Sequence, residues 1–328
     1  MRLSATSEVV SSGEHSTGSS FQGLMHLVGI LRPQCVMLEN VPSLKDKPKD
    51  PKALSNFEAV RKAFHDESYV FASKVFCARD VGMPVRRSRL YMVAVHANSD
   101  VDAESAEGVM EARIEEVMAD IQHNIKHYEL DAFLLPNYKG LYVDWFGGDL
   151  EEHRAKPRSR GTIKQQITKV KKWMSKAKKW RDLHTQCWRD IAFRDDKILY
   201  MEMLSGNPFF EVLSERAQDN LVMQLCNKPF PGDSEDVFGL EASANRVPRG
   251  SHIMPCILPR SCLWIAKKGR PLLGIEGLML QGADISALST HGTLRPHRWS
   301  NTFLMDLAGN AFCVPQFVSW FVTVLTVL

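Results

Sequence analysis

The sequence predicts an α/β fold carrying a helical, basic insertion, and three observations predict it. The first hundred residues alternate helix-like and strand-like stretches joined by short connections, the pattern of an α/β layer. The middle holds a lysine-rich stretch with helical spacing of its apolar residues. The chain closes on an apolar segment of helical length. At 328 residues, about two domains with ample core are expected.

In order, residues 21–31 read as a helix and 35–38 as a short apolar strand. Residues 53–65 have helical periodicity, and 69–77 and 89–96, rich in Val, Phe and Tyr, read as strands. The polar, acidic residues 98–108 suggest a boundary, and 107–127 a helix. PGDSED (231–236) and the stretch 247–255, opening with VPRGS, read as loops. The uncharged run 311–328 is interrupted by Pro315 and Gln316. A helix from Pro315 reaches only about 21 Å, short of a bilayer span, so a buried core helix is expected.

The seven cysteines form no CxxC pair, so neither a disulfide framework nor a zinc ribbon is indicated, and a reducing, intracellular compartment is expected. Residues 1–20 are polar and rich in Ser and Thr, without the apolar stretch of a targeting peptide. His123 and His127 stand four apart on an expected helix but have no third ligand nearby, so no metal is expected. The aromatic spacing of WRDLHTQCW (180–188) fits a core stripe better than a base-stacking platform.

The net charge of +3 hides an asymmetry. Residues 154–181 contain 12 Lys or Arg and no Asp or Glu, leaving the rest of the chain net negative. Ile167, Val170, Met174, Ala177 and Trp180 follow helical spacing, with Lys164, Lys169, Lys171, Lys172, Lys176, Lys178, Lys179 and Arg181 around them. Such an element reads either as a polyanion contact or as a solvated lysine-rich helix.

Two segments carry chemistry. In RPQCVMLENVPSL (32–44) an apolar strand runs into Glu39. A carboxylate there is either a ligand group at the carboxyl end of a strand or a cap on the next turn. In DVGMPVRRSRLYMVAV (80–95), Arg87 and Arg89 alternate and share a face. They read as two guanidiniums for an anionic or carbonyl-rich ligand, or as surface arginines on an edge strand.

Taken together and in this order, ENVP and GMPxxRxR resemble the cytosine-5 DNA methyltransferase family. Arg270-Pro271-Leu272, Glu276 and Leu280-Gln281-Gly282 resemble its RxL…E…LQG element. Ala308-Gly309-Asn310-Ala311, before an apolar helix, resembles its last motif. The resemblance covers about residues 7–97 and 262–328. It implies a partial Rossmann-like S-adenosylmethionine-dependent methyltransferase sheet with an inserted, mostly helical target-recognition region. The domains would be 1–100 (partial catalytic), 101–255 (recognition, with basic helix 161–181) and 256–328 (return to the catalytic domain). Such enzymes transfer a methyl group from S-adenosylmethionine to C5 of a cytosine flipped out of DNA.

By the same resemblance, Glu39 would hold the ring at N3 and Arg89 would reach the base carbonyl, with Arg87 in support. Gly309 and Asn310 would face the cofactor, and Arg270 and Glu276 would brace the two domains. There are departures. The family's Pro-Cys nucleophile falls on Ala5 and Thr6, and an unactivated hydroxyl does not replace a thiolate. The glycine-rich cofactor loop is expected some 60 residues ahead of that position. Val85 stands for the motif glutamine, and Met279 for an arginine expected in the Glu276 helix. Cys256 follows a proline but sits at the wrong place in motif order. The expectation is therefore a C-terminal, truncated portion that is inactive alone. A DNA-binding pseudoenzyme and a tRNA-methylating relative remain alternatives. The nucleus is the expected location in a eukaryote.

Overall fold

The computed structural model describes residues 16–47, 54–97, 103–137, 253–259, 261–285 and 299–328, with shorter pieces between 204 and 240. The basic segment 154–181, the residues around Thr6, the loop at 231–236 and the VPRGS turn lie outside the described residues. The chain forms two compact units, 1–128 with 313–328, and 129–312.

The first unit is built on a three-stranded sheet. Its strands are β1 (Cys35–Asn40), β2 (Tyr69–Cys77) and β3 (Ser88–His96), in the order β1-β3-β2, with β3 antiparallel to both neighbours. Helix α1 (Ser16–Leu31) leads into β1, and α2 (Asn56–Asp66) carries the chain from β1 over to β2. The sequence places all three strands within a few residues, because each is rich in apolar and β-branched or aromatic residues and is bounded by polar or turn residues. Ser55 and Glu58 close a capping box that starts α2: the Ser55 amide donates to the Glu58 carboxylate at 2.8 Å and the Glu58 amide to Ser55 Oγ at 3.1 Å. One face of the sheet packs on α1 and α2 through Phe21, Val28, Val60, Phe64, Phe71 and Met92.

The other face is covered by α3 (Ala103–Asn124) and α6 (Val314–Val327), through Met110, Ile114, Met118, Trp320 and Val324. The boundary suggested at 98–108 thus runs into helix α3, which belongs to the first unit. Its acidic composition misleads because Glu107 is not a linker residue: it is buried and accepts from Arg61, His65 and the Phe71 amide, tying α3 to α2 and β2. Helix α3 also ends earlier than expected, at Asn124. His127 lies beyond it, so the two histidines do not share a helical face, and no group of metal-ligating side chains occurs among the described residues. The turn from β2 to β3 needs Gly82, whose φ is 86° and whose added Cβ would lie 2.4 Å from the Lys126 carbonyl.

Helix α6 is 14 residues long and buries one stripe only: Gln316, Ser319, Trp320, Thr323 and Val324. The expected core helix is therefore half covered. Asn301–Val327 is long and apolar enough to cross a membrane by length and composition, but it is two helices, broken at 311–313.

The second unit contains a small antiparallel sheet that the sequence reading does not anticipate. Its strands are β4 (Val237–Gly239), β5 (Leu263–Ile265) and β6 (Arg270–Pro271), in the order β4-β5-β6. Phe238 and Trp264 anchor it in a cluster with Leu204, Phe210 and Leu221. Strands of two or three residues are too short to show a period. Helices α4 (Gly274–Met279) and α5 (Asn301–Asn310) pack closely here. A Cβ on Gly274 would lie 2.5 Å from Leu304 Cβ, so only glycine permits that approach.

Candidate functional site

The order of strands explains how Glu39 and Arg89 meet. Glu39 on β1 is directly opposite Tyr91 on β3. Arg89, two residues before Tyr91, is the diagonal neighbour on the same face. Its Nε lies 2.8 Å from Glu39 Oε1, and its Nη1 donates to the Ser88 carbonyl at 2.7 Å. Arg87 and Arg89 are 4% and 6% exposed, whereas Arg86 and Ser88 between and before them face solvent. This excludes surface arginines on an edge strand: β3 is the central strand. Glu39 likewise serves as an ion-pair partner, and just after it Asn40 Oδ1 accepts from the neighbouring Val41 amide at 2.8 Å.

Three further residues complete this end of the sheet. Tyr91 stacks on Phe76 at 4.7 Å and lies near Trp320 at 5.8 Å. Burial first, and Glu39 second, push its hydroxyl above the usual tyrosine range, so it is a neutral phenol. Gln316 is fully buried, and its Nε2 donates to the Phe76 carbonyl at 3.1 Å and the Arg87 carbonyl at 3.0 Å. It thus pins helix α6 to the strand end that carries the arginines. In the sequence Gln316 reads only as an interruption of an apolar run. A lone amide in such a run is a signal, because a polar group buried there requires partners.

Cys313, the residue before α6, is 1% exposed. Burial pushes its thiol up to about 11, and the Gln316 amide and the two arginines offset this only in part. A raised folded value means that the thiol's contribution to stability is intact below pH 9. It is lost as pH rises toward 11. We expect Cys313 to resist iodoacetamide at pH 8 in the folded chain and to react once the chain is unfolded, as peptide mass mapping would show. The alkaline fall in stability flattens in Cys313→Ala, whatever that variant's stability at neutral pH.

In the second unit Arg270 and Glu276 meet with no exposure at all. All five guanidinium N–H groups of Arg270 donate. Nη1 and Nη2 bind the two Glu276 oxygens at 2.9 and 2.6 Å. The others reach the carbonyls of Pro271 and Leu135 and the Asn137 side chain. Glu276 also accepts from the amides of Leu135 and Leu273 at 2.7 and 2.9 Å. The pair therefore ties residues 135–137 to β6 and the start of α4.

Gly309 and Asn310 end helix α5. A Cβ on Gly309 would lie 2.2 Å from the Pro259 nitrogen and 2.4 Å from the Leu258 carbonyl carbon. The space beside this glycine is filled by the chain's own backbone. Asn310 is exposed, and its Nδ2 donates to the Asp306 carbonyl at 2.9 Å, within its own helix.

A family model for C-5 cytosine-specific DNA methylases matches residues 11–255. The chain belongs to that family. The matched span contains Glu39, Arg87, Arg89 and the lysine-rich segment; Arg270, Glu276, Gly309 and Asn310 lie beyond it. Among solved structures, the chain is similar to the Dnmt2 methyltransferase of S. pombe, at 10% identity and a TM-score of 0.39, over 96% of this chain and 74% of that one. It is also similar to the Entamoeba histolytica methyltransferase EhMeth, at 12% identity and a TM-score of 0.43, over 99% and 76%. None of the curated proteins matches. Membership of this family makes nucleic acid the expected substrate and S-adenosylmethionine the expected methyl donor.

Proposed function

We propose that the first unit holds a cytosine ring against Glu39 and Arg89, and that this chain alone does not transfer the methyl group. The observation that carries the reading is the ion pair itself. It sets a carboxylate acceptor beside a guanidinium donor, on one face of the sheet, at its end. That is the complement of a cytosine edge, which offers an amino donor and a ring carbonyl acceptor. Arg87 and the Gln316 clamp hold the strand end that presents Arg89. A base can reach such a pocket only when turned out of the duplex, which favours a nearby polyanion-binding surface. The lysines and arginine of 164–181 are the proposed source of that surface.

The inactivity rests on chemistry. The position of the family's attacking thiolate is Thr6, and a hydroxyl without a base is a poor nucleophile at neutral pH. S-adenosylmethionine supplies the methyl group in this family, and we propose that Gly309 and Asn310 hold it too weakly for turnover.

Tritium transfer from labelled S-adenosylmethionine to duplex DNA should stay at background with the isolated chain. Incorporation above background would refute the inactive reading. DNA binding should be salt-dependent and should weaken when Lys171, Lys172, Lys178 and Lys179 are replaced by Ala, with a shallower dependence on salt. Unchanged binding would remove the basic segment from the proposal, and displacement of the DNA by tRNA would move the substrate to RNA.

A further inference from the structure

We propose that Tyr91 is a positioning residue of the base pocket, its hydroxyl donating to the Glu39 carboxylate once a base fills the site. The inference rests on the base-binding reading above and adds to it the residue that holds the carboxylate.

The hydroxyl is costly where it stands. Tyr91 is 1% exposed, and among the described residues its oxygen meets no hydrogen-bond partner. The ring packs against Phe76 and Trp320, with centroids 4.7 and 5.8 Å away. Phenylalanine would make the same contacts without burying an unbonded polar group. Packing alone therefore gives the oxygen no role.

Its position gives one. Tyr91 is directly opposite Glu39 in the register of β1 and β3, so the two side chains leave the sheet on the same face. Arg89, two residues earlier on β3, shares that face. After burial, the Glu39 charge is the strongest influence holding the proton on the phenol. The group is thus a donor that feels the carboxylate.

Arg89 Nε lies 2.8 Å from Glu39 Oε1, and the Glu39 side chain is still 15% exposed, so solvent reaches it. A base laid on the pair takes that water away, and a charged oxygen stripped of water needs a donor in its place. The Tyr91 proton can turn about its C–O bond, since no bond fixes it. The remaining distance is closed by the flexible Glu39 side chain, because the Tyr91 ring is held against Phe76 and Trp320. Base binding thus completes a bond whose two partners already share one face.

Fluorescence anisotropy with the full chain and two DNA duplexes tests this. One duplex carries a cytosine opposite an abasic site, and the other has abasic sites on both strands at that position. The unaltered chain should prefer the first. Tyr91→Phe should cut that preference about tenfold, the contribution of a hydrogen bond to a charged group, without lowering the urea midpoint. Ser73→Ala is the matched control. It also removes a buried hydroxyl that has no partner, but opposite Met92, which packs toward α1 and α2 on the other face of the sheet. It should leave the preference unchanged. If Glu39→Gln abolishes the preference and Tyr91→Phe leaves it intact, the Tyr91 proposal alone falls. If the unaltered chain shows no preference, or Glu39→Gln keeps it, the base-binding reading falls and takes the proposal with it. An equal loss in Ser73→Ala overturns the proposal too, as does a lowered midpoint in Tyr91→Phe, which would mean that the hydroxyl is bonded without a base.

Discussion

Arg270→Ala lowers the unfolding free energy by about 3–5 kcal/mol, the cost of leaving a buried carboxylate without its partner. No solvent reaches either side chain, and loss of the guanidinium also leaves the carbonyls of Leu135 and Pro271 without their donors. Glu276→Gln keeps the shape but removes the charge, and costs less than Arg270→Ala. The informative variant is the double one. Arg270→Met with Glu276→Leu removes both charges together and should cost less than the sum of the single changes, because each single change strands a charge that the double change does not. Urea denaturation of the unaltered chain, Arg270→Met, Glu276→Leu and the double variant gives the coupling. If the single and double losses simply add, the two residues act independently and the buried pair is not what holds residues 135–137 on β6.

The coupling also bears on what these residues do in the family. The resemblance gives Arg270 and Glu276 a bracing role between domains. Their partners here, Leu135, Asn137, Pro271 and Leu273, all lie in the second unit.

The sequence makes the first unit legible and the second largely illegible, for physical reasons. Strands β1, β2 and β3 are rich in apolar residues, and the alternation of Arg87 and Arg89 predicts one buried face. The meeting of Glu39 with Arg89 needs more: it follows from β3 returning between β1 and β2, and register across strands is not written in local spacing. Glu107 reads as part of an acidic boundary because its three donors come from α2 and β2, more than thirty residues away. Helix α6 reads as core because its composition is apolar, yet a buried glutamine decides which face goes inward. Strands β4 to β6 are too short for any pattern and are held by Phe238 and Trp264.

Gly309→Ala decides between two readings of the same residue. If the glycine only kept room for a ligand, alanine would stabilise helix α5 by about 0.5–1 kcal/mol, as it does in an open helix. In the structure the new Cβ would overlap the backbone at Leu258 and Pro259. Backbone bound into a proline turn cannot swing aside as a side-chain tip can. The substitution should therefore destabilise by ~3 kcal/mol, at the upper end of overpacking costs. Gly23→Ala is the matched control: it is also helical, and nothing lies within 4 Å of its added Cβ. The same chemical change should thus raise stability at residue 23 and lower it at residue 309, measured by the same urea titration. A gain at both sites would return Gly309 to the ligand-facing role. A loss at 309 alone means that the motif glycine serves first to let helix α5 touch the 258–259 backbone, so any cofactor contact at that helix end must come from its other residues.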